Sequence, residues 1–123
     1  LENPFEASAA HGADLVRKLC QQPVPPSEDY PLFYNVNFPP LPALDVRGIK
    51  VTPQGRRRNS KFSVSKYISA SKRQFLFAQI GDQQVPTAPG TDAAENLNGY
   101  ITVTPMRADL TDYDALGALR TIE

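Results

Sequence analysis

The sequence predicts an α/β fold built on a mixed sheet. Three observations predict it. An amphipathic helix with both ends marked opens the chain, short segments of alternating polarity follow, and a capped helical segment closes it. At 123 residues the chain is one domain at most. That length is enough to hide roughly two thirds of the unfolded surface. The hydrophobic share of 41% and the charged share of 21% are those of an ordinary globular chain.

The first element is "NPFEASAAHGADLVRKLCQQP". Asn3 stands where a cap is expected, Pro4 suits the first helical position, and Glu6 lies three residues after the cap. Phe5, Ala9, Gly12, Ala13, Val16, Leu19 and Cys20 recur at three- to four-residue spacing and predict one apolar stripe, which Pro23 ends. His11 and Asp14 fall off that stripe, so His11 reads as a surface histidine and Cys20 as a packed thiol.

"LFYNVNFPPLP" alternates as a strand, with Leu32, Tyr34, Val36 and Phe38 on one face and Phe33, Asn35 and Asn37 on the other. "GIKVTPQG" predicts a second short strand, with Ile49 and Val51 on one face. From Arg47 to Arg73 the chain carries Arg47, Lys50, Arg56, Arg57, Arg58, Lys61, Lys66, Lys72 and Arg73 and no acid. Within that run, "SKFSVSKYI" and "RQFLFAQIG" flank the polar turn "SASK" and predict a basic β-hairpin. Such a hairpin is either a polyanion-binding surface or a solvated edge whose lysines and arginines discourage strand pairing; the edge is the preferred reading.

"PGTDAAENLNGY" predicts a short helix capped by Thr91 or Asp92 and stopped at Gly99. "YITVTPM" is a strand with Ile101 and Val103 on one face. Thr111 and Asp114 have capping-box spacing ahead of "YDALGALRTI", whose stripe is Leu110, Ala115, Leu116, Leu119 and Ile122. Thr104, Pro105, Asp109 and Thr111 are residue types that active sites use, but a corner and helix cap accounts for them first. The prolines, twelve in all, gather at residues 23–26, 39–42 and 86–89, between elements.

Composition excludes several functions. One cysteine leaves no internal disulfide framework and no multi-cysteine zinc site, and a Ser-His-Asp triad or a His-rich metal site would have to be built around His11, the single histidine. Zero formal net charge gives no global pull toward nucleic acid or anionic lipid. No apolar run approaches the roughly 20 residues of a membrane-spanning helix. The lone thiol suits a reducing cytoplasm, which is the expected location. The chain opens on Leu1 with no leader pattern, and its start is expected to lie upstream.

Three segments in order, "NVNFP", "GIKVTPQGRR" and "PGTDAAENLNGYITVTPMRADLT", resemble the C-terminal half of the SurE family of survival proteins, the 5′/3′-nucleotidases. The departures are mild: Thr102 stands where Ser is usual, and Met106 where Leu is common. The resemblance implies a three-layer α/β/α fold with a Rossmann-like core, of which residues 1–123 form the C-terminal portion of a single domain. Within it, residues 1–46 supply a helix and core strand, 47–85 a strand and the basic hairpin, and 86–123 a short helix, a strand and a terminal helical arm. It also implies hydrolysis of nucleoside monophosphates with a divalent metal, Mg²⁺ or Mn²⁺, held upstream by an Asp-Asp pair, a Ser and an Asn. This chain has no Asp-Asp dipeptide, and "GTDAAENLNGY" matches a later family helix rather than the Gly-rich metal loop. No catalytic, cofactor-binding or metal-ligating residue is therefore assigned to it. Its expected roles are scaffold and homo-oligomer contacts, dimer or tetramer, through the hairpin and arm. No membrane partner is expected. Nucleic-acid binding through the hairpin and a pure interaction module are the rival readings.

Overall fold

The computed structural model describes residues 3–23, 30–57, 62–82, 84–85 and 87–123. Helix α1 spans Glu6–Cys20, strand β1 Phe33–Asn37, a 3-10 turn Ala43–Asp45 and strand β2 Ile49–Val51. Strands β3, Ser63–Ile68, and β4, Gln74–Gln79, follow. Helix α2, Asp92–Leu97, strand β5, Ile101–Met106, and helix α3, Tyr113–Leu119, complete the chain with a last 3-10 turn at Arg120–Ile122.

The sheet is mixed, as expected. Its order is β1-β5-β2, with β5 antiparallel to β1 and parallel to β2. Pairing puts Asn35 opposite Thr104, Asn37 opposite Thr102, and Lys50 beside Thr102, so these side chains share one face. The other face carries Tyr34, Val36, Ile101 and Val103. Helix α1 covers that second face, where Leu15 forms the buried cluster with Ile101 and Val103, and Leu19, Tyr34, Val36, Phe38 and Val46 pack around it. Burying each such large apolar side chain stabilises by about 2 kcal/mol. Helix α2 lies against the polar face, where Glu95 meets Lys50.

The apolar stripe expected on α1 is not the buried one. Ala7 and Leu15 are buried, His11 and Leu19 are half-buried, and the row 7, 11, 15, 19 faces inward. Phe5, Val16 and Cys20 are exposed. Contacts far along the chain set this rotation. Ala43 donates its N–H to Glu6 Oε1 at 2.9 Å, and its carbonyl accepts from His11 Nε2 at 3.0 Å. Glu6 thus fastens the 3-10 turn instead of closing a capping box, and His11 is not a free surface histidine. Asn3 acts before the helix start, accepting the Phe5 N–H at 3.0 Å. Glu6→Ala is expected to cost about 1–2 kcal/mol by stranding a half-buried N–H. An unchanged denaturant midpoint for that variant of the whole protein would mean the bond contributes nothing.

The hairpin forms as the sequence predicts, with Val64 opposite Ala78 and Tyr67 opposite Phe75. Its turn puts Lys72 at φ 62°, and Ser69 and Arg73 close it through backbone and hydroxyl bonds. Both hairpin faces are exposed. Tyr67, Phe75 and Phe77 share one, with Tyr67 and Phe77 edge-to-face at 5.9 Å; Val64, Ile68 and Leu76 share the other. The basic run does not form one patch on it, because Arg47 and Lys50 sit at the three-stranded sheet. Arg58 and Lys61 lie outside the described residues.

The terminal helix is capped one residue later than its sequence spacing predicts. Asp112, not Thr111, accepts the Ala115 N–H, at 3.1 Å. Leu110, Leu119 and Ile122 of this arm are exposed.

Candidate functional site

In α/β sheets, ligands gather beyond the carboxyl ends of the parallel strands. Here those ends belong to β2 and β5. Val51, Thr52, Pro53 and Gln54 at the end of β2 and Thr104, Pro105, Met106 and Arg107 at the end of β5 together line a cavity of 540 Å³. A second cavity of 200 Å³ lies on the polar face of the sheet, lined by Asn35, Asn37, Gln54, Gly55, Arg57, Asp92, Ala93 and Asn96. Gln54 borders both.

Local chemistry builds the wall. The Thr52 N–H extends the parallel ladder to Val103 O at 3.0 Å, and Pro53 then ends it. The loop is tied to α2 at two points: Asp92 N–H donates to Pro53 O at 2.9 Å, and Gly55 N–H donates to Asp92 Oδ1 at 2.6 Å. A Cβ on Gly55 would lie 2.8 Å from Thr91 Oγ1, so only glycine lets the loop approach this closely. Asn96 Nδ2 donates to Asn37 O at 3.2 Å and fixes α2 over β1.

The hydroxyls of Thr52, Thr102 and Thr104 and the Nε of Arg57 are buried without a hydrogen-bond partner. Buried polar atoms in native proteins are paired as a rule, so each of these waits on a group from outside this chain or on water.

Beside this face, Lys50 Nζ lies 2.5 Å from Glu95 Oε2 and 4.0 Å from the Tyr100 ring centroid. Arg47 stacks on the same ring at 4.8 Å and donates to Asn98 O at 3.1 Å. The Lys50 hydrogen bond holds the Glu95 carboxyl below its usual range against the opposing effect of burial, helped by the Gly90 N–H. A depressed folded-state carboxyl contributes stability above its unfolded pKa and loses it as pH falls through the lower folded value. Glu95→Gln is therefore expected to flatten the acid limb of the whole protein's stability profile. The same acid limb in both proteins would remove the Lys50 pair from the account.

Of the residues read from the sequence as a corner and helix cap, Thr104 and Pro105 line the larger of these two cavities, while Asp109 and Thr111 do not. Asp109 accepts the Thr111 N–H at 3.0 Å and the Tyr113 hydroxyl at 2.6 Å. The Tyr113 bond first, then Thr111, lowers the Asp109 pKa, and Asp109 in turn raises that of Tyr113. Asp109 thus fixes the entry into α3. Sequence reasoning missed Asn35, Asn37, Gln54 and Arg57 as a group. The available signal was polar alternation on β1 and β5, two strands whose other faces are apolar.

Among the described residues, no group of three His, Cys, Asp or Glu side chains could hold a metal ion. No described helix is long and apolar enough to cross a membrane.

The family model described as Survival protein SurE matches residues 1–61. A 5′-nucleotidase SurE of Ruegeria sp. (strain TM1040) is 57% identical over 123 residues, all of this chain and 47% of that relative. A 5′-nucleotidase SurE of Cereibacter sphaeroides (strain ATCC 17029 / ATH 2.4.9) is 51% identical over 122 residues, 99% of this chain and 47% of its own length. The chain spans about half the length of the curated relatives it matches. The crystal structure of SurE protein from Aquifex aeolicus superposes with a TM-score of 0.65 at 36% identity, covering 96% of this chain and 46% of that one. A shared mixed α/β fold and this identity along the whole chain agree, and the chain belongs to the SurE family.

Proposed function

We propose that the whole protein is a metal-dependent phosphomonoesterase that hydrolyses nucleoside 5′- and 3′-monophosphates. Residues 1–123 serve it as the C-terminal portion of a single domain. The observation that carries this reading is the 57% identity, along all of this chain, to a relative named 5′-nucleotidase SurE. The cavity at the ends of β2 and β5 supports it, because that is where an α/β sheet presents a ligand.

Within this reading the chain supplies wall and assembly surface. The cation and its ligands come from elsewhere in the protein; when bound, it would supply charge neutralisation at the phosphate and activation of the attacking oxygen. Thr104, Arg107 and Gln54 border the space the substrate occupies. The hairpin and the arm after Asp109 supply contacts in a dimer or tetramer. A cytoplasmic location accords with Cys20 as an exposed single thiol. Arg47 and Lys50 of the basic run are engaged by Tyr100, Glu95 and Asn98, which leaves the hairpin cations as the polyanion surface of the rival reading.

The test is orthophosphate release from a nucleoside 5′-monophosphate by the whole protein. Release that a chelator stops and Mg²⁺ or Mn²⁺ restores is the expected result. No release above the blank with either cation would overturn the reading.

A further inference from the structure

The smaller cavity, bordered by Asn35, Asn37, Gln54, Gly55, Arg57 and Asp92, has a chemistry of its own. Its 200 Å³ is below the roughly 300–1,000 Å³ of pockets that hold a whole drug-sized ligand, so it suits one small group. Some of its wall is already engaged. Asp92 Oδ1 accepts the N–H groups of Gly55 and Ala93, both at 2.6 Å, and Asn96 Nδ2 donates to Asn37 O. The rest is not. Among the described residues, the side-chain amides of Asn35, Asn37 and Gln54 form no hydrogen bond, and Arg57 forms no hydrogen bond or ion pair.

Arg57 is the telling member. Its Nε is buried and unpartnered. A guanidinium N–H removed from water without an acceptor is costly, so the fold that places it there is completed by an acceptor. The neighbouring groups narrow the acceptor's nature. Asp92, the acid on this wall, is turned to two backbone N–H groups and makes no ion pair with Arg57. Asn35, Asn37 and Gln54 line the same cavity, and their amides can offer neutral NH₂ donors to a group held there. A fork of guanidinium N–H groups with amides on the same wall matches an oxyanion, carboxylate or phosphate. Gln54 also borders the larger cavity, so a molecule anchored here by a phosphate has room beyond it for its remaining atoms.

We propose that this cavity is an oxyanion subsite in which Arg57, with Asn35 and Asn37, holds the phosphate of the nucleoside monophosphate. The proposal rests on the nucleotidase reading above. Its rival occupant is a protein carboxylate from residues outside this chain.

The test uses the whole protein with inorganic phosphate as probe, by calorimetric titration and by competition against hydrolysis of a nucleoside 5′-monophosphate. Arg57→Gln is expected to weaken phosphate binding and raise KM by about tenfold or more, with a smaller change in kcat, as for loss of one charge-assisted fork. Arg57→Lys should recover part of the loss, since an ammonium supplies charge without the fork. Asn35→Ala and Asn37→Ala should move both quantities in the same direction, by less. A folded Arg57→Gln protein that still hydrolyses the nucleotide with unchanged KM and phosphate affinity would overturn the subsite and leave the nucleotidase reading standing. Arg57-dependent phosphate binding without nucleotide hydrolysis would do the reverse. If Arg57→Gln fails to fold, the asparagine variants decide: unchanged phosphate affinity in both assigns Arg57 to a protein carboxylate and overturns the proposal, and weakened affinity supports it.

Discussion

Exchanging Phe75 and Phe77 together for serine is expected to break the assembled protein into smaller particles. A two-stranded hairpin standing alone in water is marginal, and this one is apolar on both faces. Leu76 is 75% exposed on one face and Phe77 54% exposed on the other. A soluble monomer rarely leaves such a patch bare, so partner surface covers it in the proposed assembly. Each aromatic ring buried at that interface contributes about 2 kcal/mol. Losing both raises the dissociation constant roughly 10³-fold. Light scattering on the whole protein reads the outcome directly. An unchanged mass would take the aromatic face of the hairpin out of the interface.

The second large effect concerns residues 1–123 expressed alone. They are expected to release no phosphate from a nucleoside monophosphate at concentrations where the whole protein is active. The described carboxylates form no cluster that could hold a cation, and Asp92, Glu95 and Asp109 are each committed to structural hydrogen bonds. The same preparation should unfold at low denaturant. Among the described residues the buried hydrophobic core is only Ala7, Leu15, Ile101 and Val103, and β1 and β2 are open edges of the sheet. Turnover by this chain, freed of any contaminating phosphatase, would place catalytic groups within it.

The sequence was most legible where local pattern and tertiary contact agree. Ile101 and Val103 alternate with polar residues, and both are buried at the centre of the sheet. Gly99 follows Asn98 at the end of α2 with φ 88°, the left-handed stop the motif calls for. The hairpin's two runs and polar turn gave its strands directly. Legibility failed where the deciding partner lies far along the chain. Nothing near Glu6 or His11 announces Ala43, more than thirty residues away, yet that contact turns α1 and puts Cys20 outside. Lys50 looked like part of a basic run, but Glu95 and Tyr100 claim it. Asn35 and Asn37 shared their expected strand face with Phe33, and nothing local joined them to Thr102 and Thr104. Only strand pairing and the cover of α2 reveal them as one enclosed polar surface. The family motifs located the chain within a longer protein, but they assigned Arg57 no role.

The central claim is a division of labour: chemistry outside these residues, wall and assembly within them. Its most direct measurement is the turnover of a nucleoside monophosphate by whole-protein variants Thr104→Ala and Asp109→Asn. Thr104 lines the cavity, and Asp109 holds Thr111 and Tyr113 at the entry to α3. Each variant is expected to lose less than about two orders of magnitude in rate, roughly 2.7 kcal/mol of barrier. Abolished turnover in an Asp109→Asn protein that remains folded and keeps its assembled mass would contradict the account and put the turn after β5 inside the catalytic centre.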